Sequence, residues 1–182
     1  MIWLGAILAG WLLADFLSGL LHWAEDSLAG DDWPLLGPLV FAPNRLHHEQ
    51  PMAFTRGGWW ERNGTTITAA LLVTATILAP ILLTVDAAGI PGPIWAMLAT
   101  ATLGGAMASQ VHFWAHMPHR APEPVQMAQA IGLLQSRGHH ARHHAPPQDR
   151  RYCVLTNWLN PWLDSWNVWR ALERLLPSRW LA

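Results

Sequence analysis

The sequence predicts an all-α integral membrane protein: a single domain over residues 1–182 with about three membrane-crossing helices and interfacial helices beside them. Three observations predict it. The 182 residues are 52% hydrophobic and 13% charged, against roughly 25% charged residues in ordinary soluble domains. Three apolar stretches each approach the roughly twenty residues that a helix needs to cross the hydrocarbon core. The ten histidines fall into four tight clusters, at the ends of those stretches or just outside them. No internal repeat competes with the one-domain reading.

Taken in order, the first stretch runs from Met1 to Leu21 and is interrupted only by Asp15 and Ser18. It lacks a basic leader and is longer than a signal peptide's apolar core, so a retained helix is expected. Asp15 within the membrane costs about 2.5–3.5 kcal/mol on insertion scales. It should therefore face the bundle and have a partner, and support of His22 is the expected role. Residues 23–62 carry Pro34, Pro38, Pro43 and Pro51 and read as a long loop with short helical pieces, of a length that usually has a function. The second span is expected from Thr65 to Val85 with a kink at Pro80, the third from Ile94 to Trp114, where Ala, Gly and Ser allow close helix approach. The run Val125–Leu134 is too short to cross twice, and one crossing would strand the last histidines, so an interfacial or re-entrant helix is expected. Asn160-Pro161 reads as an N-cap followed by proline at the first helical position. Beyond it Trp162, Trp166 and Trp169 recur with Leu172 and Leu176 on one helical stripe. Most of the thirteen tryptophans, Trp23, Trp33, Trp59 and Trp60 among them, suit a belt at headgroup level or contact with lipid.

Charge sets the expected orientation. There is no lysine, and the eleven arginines lie between Arg45 and Arg62 or between Arg120 and Arg179. Three crossings put both regions, and all four histidine clusters, on one face. The other face keeps the N-terminus and the cation-free turn 86–93, so the arginine face is expected to be cytoplasmic. A formal net charge of -1 offers no basic field for nucleic acid. The single Cys153 cannot form an internal disulfide and reads as a packing residue.

His22 and Asp26 lie four apart on a continued helix and share a face with Asp15 and Gly19. His112 and His116 repeat that spacing at the end of the third span, His47-His48 sit in the long loop, and His140, His143 and His144 form an HxxHH pattern beside His139. Each cluster supplies part of a coordination shell, because neutral imidazole is the commonest protein metal ligand. Asp26 is either a ligand or an orienting carboxylate. His119 reads as a helix-end or headgroup residue. Structural zinc takes four ligands, usually with thiolates, whereas eight or more nitrogens suit two metals with about four histidines each. Imidazole serves iron, zinc, copper and nickel alike. Redox-active iron is favoured for an apolar membrane substrate, since attacking an unactivated C–H bond needs an oxidant that no side chain provides. A histidine-rich metal transporter is the rival, but it should place ionisable ligands at mid-membrane, where only Asp15 lies.

The stretch from Asp15 to Asp26 (DFLSGLLHWAED), His47-His48-Glu49-Gln50-Pro51, Glu61-Arg62-Asn63-Gly64, Gln110-Val111-His112-Phe113-Trp114-Ala115-His116, the run His139–His144 and the tail from Tyr152 to Asn160 occur in that order over nearly the whole chain. This ordered set resembles the lipid desaturase family, which holds the plasmanylethanolamine desaturases (Kua/CarF-type proteins) and plastid desaturases acting on phosphatidylglycerol acyl chains. The resemblance implies a diiron centre using dioxygen and two externally supplied electrons to desaturate a phospholipid chain. The product would be the vinyl ether bond of plasmalogens or, as the alternative, an acyl alkene or hydroxylated chain. It implies His22, His47, His48, His112, His116, His140, His143 and His144 as ligands, with His139, Asp26 and Asn63 as direct or water-mediated participants. No fused reductase or cytochrome domain is apparent, so a cytochrome b5-like protein or ferredoxin is the expected electron donor. Arginines near the site would dock that donor or bind headgroups.

Overall fold

The computed structural model describes residues 1–30 and 32–181. The chain runs through α1 (Ile2–Ser27), a π-helical turn at Gly37–Phe41 leading into α2 (Ala42–Glu49), α3 (Trp59–Thr84) and α4 (Gly92–His116). Short helices follow: α5 (Glu123–Ala130), α6 (Arg137–His140), α7 (Asn160–Ser165) and α8 (Val168–Leu175). The described residues contain no strand, only an isolated bridge between Leu28 and Leu181.

Helices α1, α3 and α4 are long and apolar enough to cross a membrane. At 25–26 residues each they measure about 38 Å, against a hydrocarbon core of about 30 Å. The excess lets the C-terminal turns of α1 and α4, with His22, Asp26, His112 and His116, reach past the apolar core. Their outward faces invert the pattern of a soluble protein, with Leu4, Leu72, Leu83 and Leu103 all exposed. On α3 the one buried residue is Asn63. Pro80 does not end α3, which continues to Thr84.

The three long helices meet through α4, which packs against both α1 and α3. Small residues make this possible: a Cβ on Gly104 would stand 2.6 Å from the Cβ of Ala14, and one on Gly105 would stand 3.2 Å from that of Ala70. Thr74 and Thr102 add a hydroxyl pair at 2.7 Å between α3 and α4. This is the small-residue packing expected where no hydrophobic drive exists between helices in lipid.

Asp15 is fully buried, but its partner differs from the expected one. Its carboxylate accepts from the backbone N–H groups of Leu155 and Thr156 at 2.9 and 3.1 Å and from the Thr156 hydroxyl at 2.5 Å. One turn along, Ser18 Oγ accepts from Val154 N at 3.2 Å. Gly19 lets Cys153 approach, since a Cβ there would stand 2.5 Å from its Sγ. The membrane carboxylate therefore anchors the buried segment 152–156 and reaches His22, seven residues or about 10 Å further along the helix, only indirectly, through the Tyr152 carbonyl of that segment. Cys153 is a packing residue, fully buried between Gly19 and Trp169.

The C-terminal stripe is also rearranged. Asn160 caps nothing: its Oδ1 accepts from Cys153 N at 2.9 Å and its Nδ2 donates to Cys153 O at 2.7 Å. The expected single helix is broken at Asn167, whose φ of 52° lies in the left-handed region. The break leaves Trp162 and Trp166 exposed while Trp169 turns inward, 5.1 Å from the Tyr152 ring. Trp23 is likewise buried, whereas Trp33, Trp59 and Trp60 are exposed as a belt requires. The interfacial segment forms α5, eight residues ending at Ala130, about 12 Å long and far too short to cross.

Candidate metal centre

Eight of the nine candidate histidines converge, with Asp26, into two adjoining groups. His47, His112, His116, His140 and His144 form one; His22, His48, His143 and Asp26 form the other, and within each the potential ligand atoms lie within 4.8 Å of one another. The groups touch: the His22 and His112 ring centres are 6.0 Å apart, those of His48 and His144 5.1 Å.

Local geometry explains the sorting. His112 and His116 share one face of α4 and enter the same group, as do His22 and Asp26 on α1. Successive helical residues point about 100° apart, so His47 and His48 at the end of α2 are divided between the groups. His143 and His144 are divided in the same way. Each adjacent pair thus straddles the two groups.

In the five-histidine group four Nε2 atoms meet almost at a point. His140 Nε2 lies 2.8 Å from that of His112, 2.8 Å from that of His116 and 2.9 Å from that of His144. A neutral imidazole nitrogen carries either one proton or one lone pair, so His140 cannot satisfy three such neighbours. A shared cation can. Adjacent nitrogens at right angles, each about 2.1 Å from a metal, would be about 3.0 Å apart. Both ring nitrogens of buried His47 lack any hydrogen-bond partner, which leaves them open to coordinate.

The second group is built around a carboxylate. Asp26 Oδ1 lies 2.9 Å from His48 Nε2, and Oδ2 lies 3.4 Å from His143 Nε2. His22 Nδ1 donates to Tyr152 O at 3.0 Å and His143 Nδ1 to Arg150 O at 2.8 Å. Those bonds place the proton on Nδ1 and turn the Nε2 lone pairs towards Asp26. Asn44, three residues before His47, donates to Asp26 Oδ1 at 2.6 Å. Sequence reasoning missed Asn44; its helical spacing from His47 and His48 was the available signal.

Burial keeps the candidate ligands outside the long helices neutral. It acts first on His47, and His116 and His144 add to it, holding the ring down to about 2. His144 is held down to about 3 by burial and then His116. His140 and His143 are pushed well below the usual imidazole range by the same cause. Neutral rings are the ligating form. Phe54 stacks on His112 at 4.9 Å and lies 5.3 Å from His47, covering the five-histidine group with an apolar face.

His139 is not brought into either group. Asn160 Nδ2 donates to its Nε2 at 3.0 Å, and Arg151 Nη1 lies 3.1 Å from its Nδ1. Its nitrogens are occupied by the 151–160 segment. Asn63 is buried, with Nδ2 donating to Trp59 O at 2.8 Å and Gln110 Oε1 at 3.2 Å, while its Oδ1 has no partner. His119 is exposed and lies in neither group.

The lipid desaturase domain model matches residues 11–180. The chain belongs to the lipid desaturase family. It is 34% identical to mouse plasmanylethanolamine desaturase 1 over 172 residues, which is 93% of this chain and 63% of that protein. Plasmanylethanolamine desaturase of Myxococcus xanthus is 33% identical over 177 residues, 95% of this chain and 60% of the relative. Chloroplastic fatty acid desaturase 4-like 1 of Arabidopsis thaliana is 33% identical over 173 residues, covering 94% and 55%. The chain thus spans somewhat over half the length of these relatives. No solved structure matches it significantly. The family is one of membrane lipid enzymes, and the three apolar helices and the two ligand groups agree with that.

Proposed function

We propose that this protein desaturates a membrane phospholipid beside its headgroup, and that the bond formed is the vinyl ether of a plasmalogen. The observation that carries the reading is the pair of adjoining ligand groups at the end of three membrane-crossing helices. Two of the three relatives named above are plasmanylethanolamine desaturases. An acyl chain is the second reading, favoured by similarity to the chloroplastic fatty acid desaturase.

The eight histidines and Asp26 would hold two iron ions. When bound, these would supply the dioxygen-dependent oxidising power that removal of two hydrogens from an unactivated chain requires, with two electrons from an external donor such as a cytochrome b5-like protein or ferredoxin. The chain's own residues position and shield. Tyr152 O and Arg150 O orient His22 and His143. Asn44 aims Asp26. The unpartnered Asn63 Oδ1 is available to hold a water. A recess of about 210 Å³ against His47, walled by Pro43, Leu46, Ala53 and Phe54 together with Glu61 and Arg62, would give an alkyl chain apolar contact. The arginine-rich end, which carries the metal groups, would face the cytoplasm.

The test is metal analysis of purified protein together with lipid analysis of cells expressing it. Two irons per chain and acid-labile vinyl ethers are expected; His143→Ala should lose the vinyl ethers and at least one of the irons. Zinc in place of iron, or full turnover in that variant, overturns the reading; new acyl alkenes without vinyl ethers select the second one.

A further inference from the structure

Beside the carboxylate-containing group lies a second, larger cavity of about 480 Å³. The histidine-bearing end of the protein holds all eleven arginines, yet this lining sets four acids, Glu25, Asp26, Asp149 and Glu173, against Arg45 and Arg170. Both arginines are engaged. Arg45 has an interaction of its own, and Arg170 holds Asp149 Oδ2 through Nη2 and Glu173 Oε2 through Nη1, each at 2.9 Å. Exposure grades across the cavity: Asp149 and Glu173 are 25% and 18% exposed beside a half-exposed Arg170, whereas His48 is 12% and Asp26 10% exposed. The Arg170 cluster therefore forms the rim, and Asp26 with His48 the floor. Glu25 adjoins Asp26 on the last turn of α1 and shares the lining. At the floor Asp26 Oδ2 and His48 Nδ1 are buried without a hydrogen-bond partner. His22 and His143, the remaining members of the group, lie deeper, so an ion arriving from outside meets Asp26 and His48 first.

We propose that this cavity is the entry by which a hydrated divalent metal ion reaches the carboxylate-containing group, with Asp149 and Glu173 receiving it at the rim and Glu25 handing it to Asp26 and His48. This rests on the metal-centre reading and adds the route and the carriers. The volume suffices: a dication with six waters needs about 200 Å³, at about 30 Å³ of liquid per water. The charge fits as well, because a cleft lined by an excess of one sign concentrates the opposite ion and speeds its arrival. Arg170 occupies both rim acids until the arriving cation takes its place. Each step replaces an aqua ligand by a carboxylate oxygen and finally by an imidazole nitrogen, with no change of oxidation state. The recess against His47 offers no such path. Its wall is chiefly Pro43, Leu46, Ala53 and Phe54, and its single acid and single arginine, Glu61 and Arg62, leave no excess of negative charge. Stripping water from a dication against apolar surface is costly.

The test is stopped-flow uptake of cobalt(II), followed by its visible absorption, into the metal-stripped full chain in detergent. Glu25→Gln should slow filling of the carboxylate-containing group about tenfold and Glu173→Gln about threefold, at the low end of what a charged cleft contributes, with the final metal content unchanged. Glu123→Gln, on α5 and outside the lining, should leave the rate as it was. The exchange-inert cation hexaamminecobalt(III) should slow uptake by the native protein by occupying the cavity, and so should raised ionic strength. Uptake by Glu25→Gln at the native rate, equal slowing of both ions in that variant, or indifference of the native protein to hexaamminecobalt(III) overturns the entry. The last of these decides the matter even if the variants fail to fold. Native protein that binds no cobalt overturns the metal-centre reading itself; a full complement of ions, taken up at rates the cavity acids do not influence, overturns the entry alone.

Discussion

The two ligand groups adjoin, yet they are held in different ways. In the group of His22, His48, His143 and Asp26, two histidines are fixed from behind by backbone carbonyls and the carboxylate is aimed by Asn44. In the group of five, the far nitrogens of His47, His140 and His144 have no protein partner. One group is held from behind by its own protein partners, whereas the other gathers five rings, four of them with their Nε2 atoms almost at a point, a geometry that a shared cation would relieve. The carboxylate also offsets part of an ion's charge in the first group, and nothing does so in the second. Ligand orientation by outer partners is worth about 10–100-fold in metal affinity. The carbonyl-anchored group should therefore fill first.

The comparison can be broken most sharply at His140, whose Nε2 touches three others. His140→Ala should lower metal content by about one ion per chain and turnover by more than about a hundredfold, beyond the cost of losing an outer partner, while the other ion is retained. Elemental analysis beside a desaturation assay checks this; loss of both ions would show that the groups are not separable. Asp15→Ala should come next. It leaves three donors of the 155–156 segment unsatisfied, at about 1–3 kcal/mol each, and loosens Tyr152 O behind His22. A lower melting temperature together with weaker binding of the first ion is expected, and equal weakening of both ions would argue against the separate anchoring. Asn44→Ala should be milder, reducing affinity at the Asp26 group about 10–100-fold and sparing the other, as metal titration of the stripped protein would reveal. Mildest at neutral pH is the acid response. His47, His144 and His139 are held down to about 2, 3 and 4, chiefly by burial. The unfolded chain then binds more protons below its ordinary imidazole value near 6.5, and stability falls as pH drops from there towards about 3. Melting of metal-free protein between pH 7 and 5 should show the decline, and a flat profile would contradict neutral buried rings.

Much of this was legible in the chain. Hydropathy and length determined three crossings, and the observed helices α1, α3 and α4 differ from the expected spans mainly by continuing several residues further at the polar end. Spacing of four determined that His22 with Asp26, and His112 with His116, would act as pairs, because an α-helix repeats every 3.6 residues whatever surrounds it. The order of the motifs identified the family. These properties are local, or cumulative over one segment, and the sequence by itself determines them.

Only the tertiary structure decided how the remaining histidines were shared. The division of His47 from His48 and of His143 from His144 depends on where α2 and the turn after α6 sit relative to α1 and α4. Asp15 went to the 155–156 backbone and Asn160 to Cys153 and His139, because buried donors and acceptors must find partners and the nearest ones came from a segment over a hundred residues away or from across a turn, while Trp169 turned inward to pack on the Tyr152 ring. Partner choice of that kind is a property of three-dimensional proximity, which periodicity and composition do not encode.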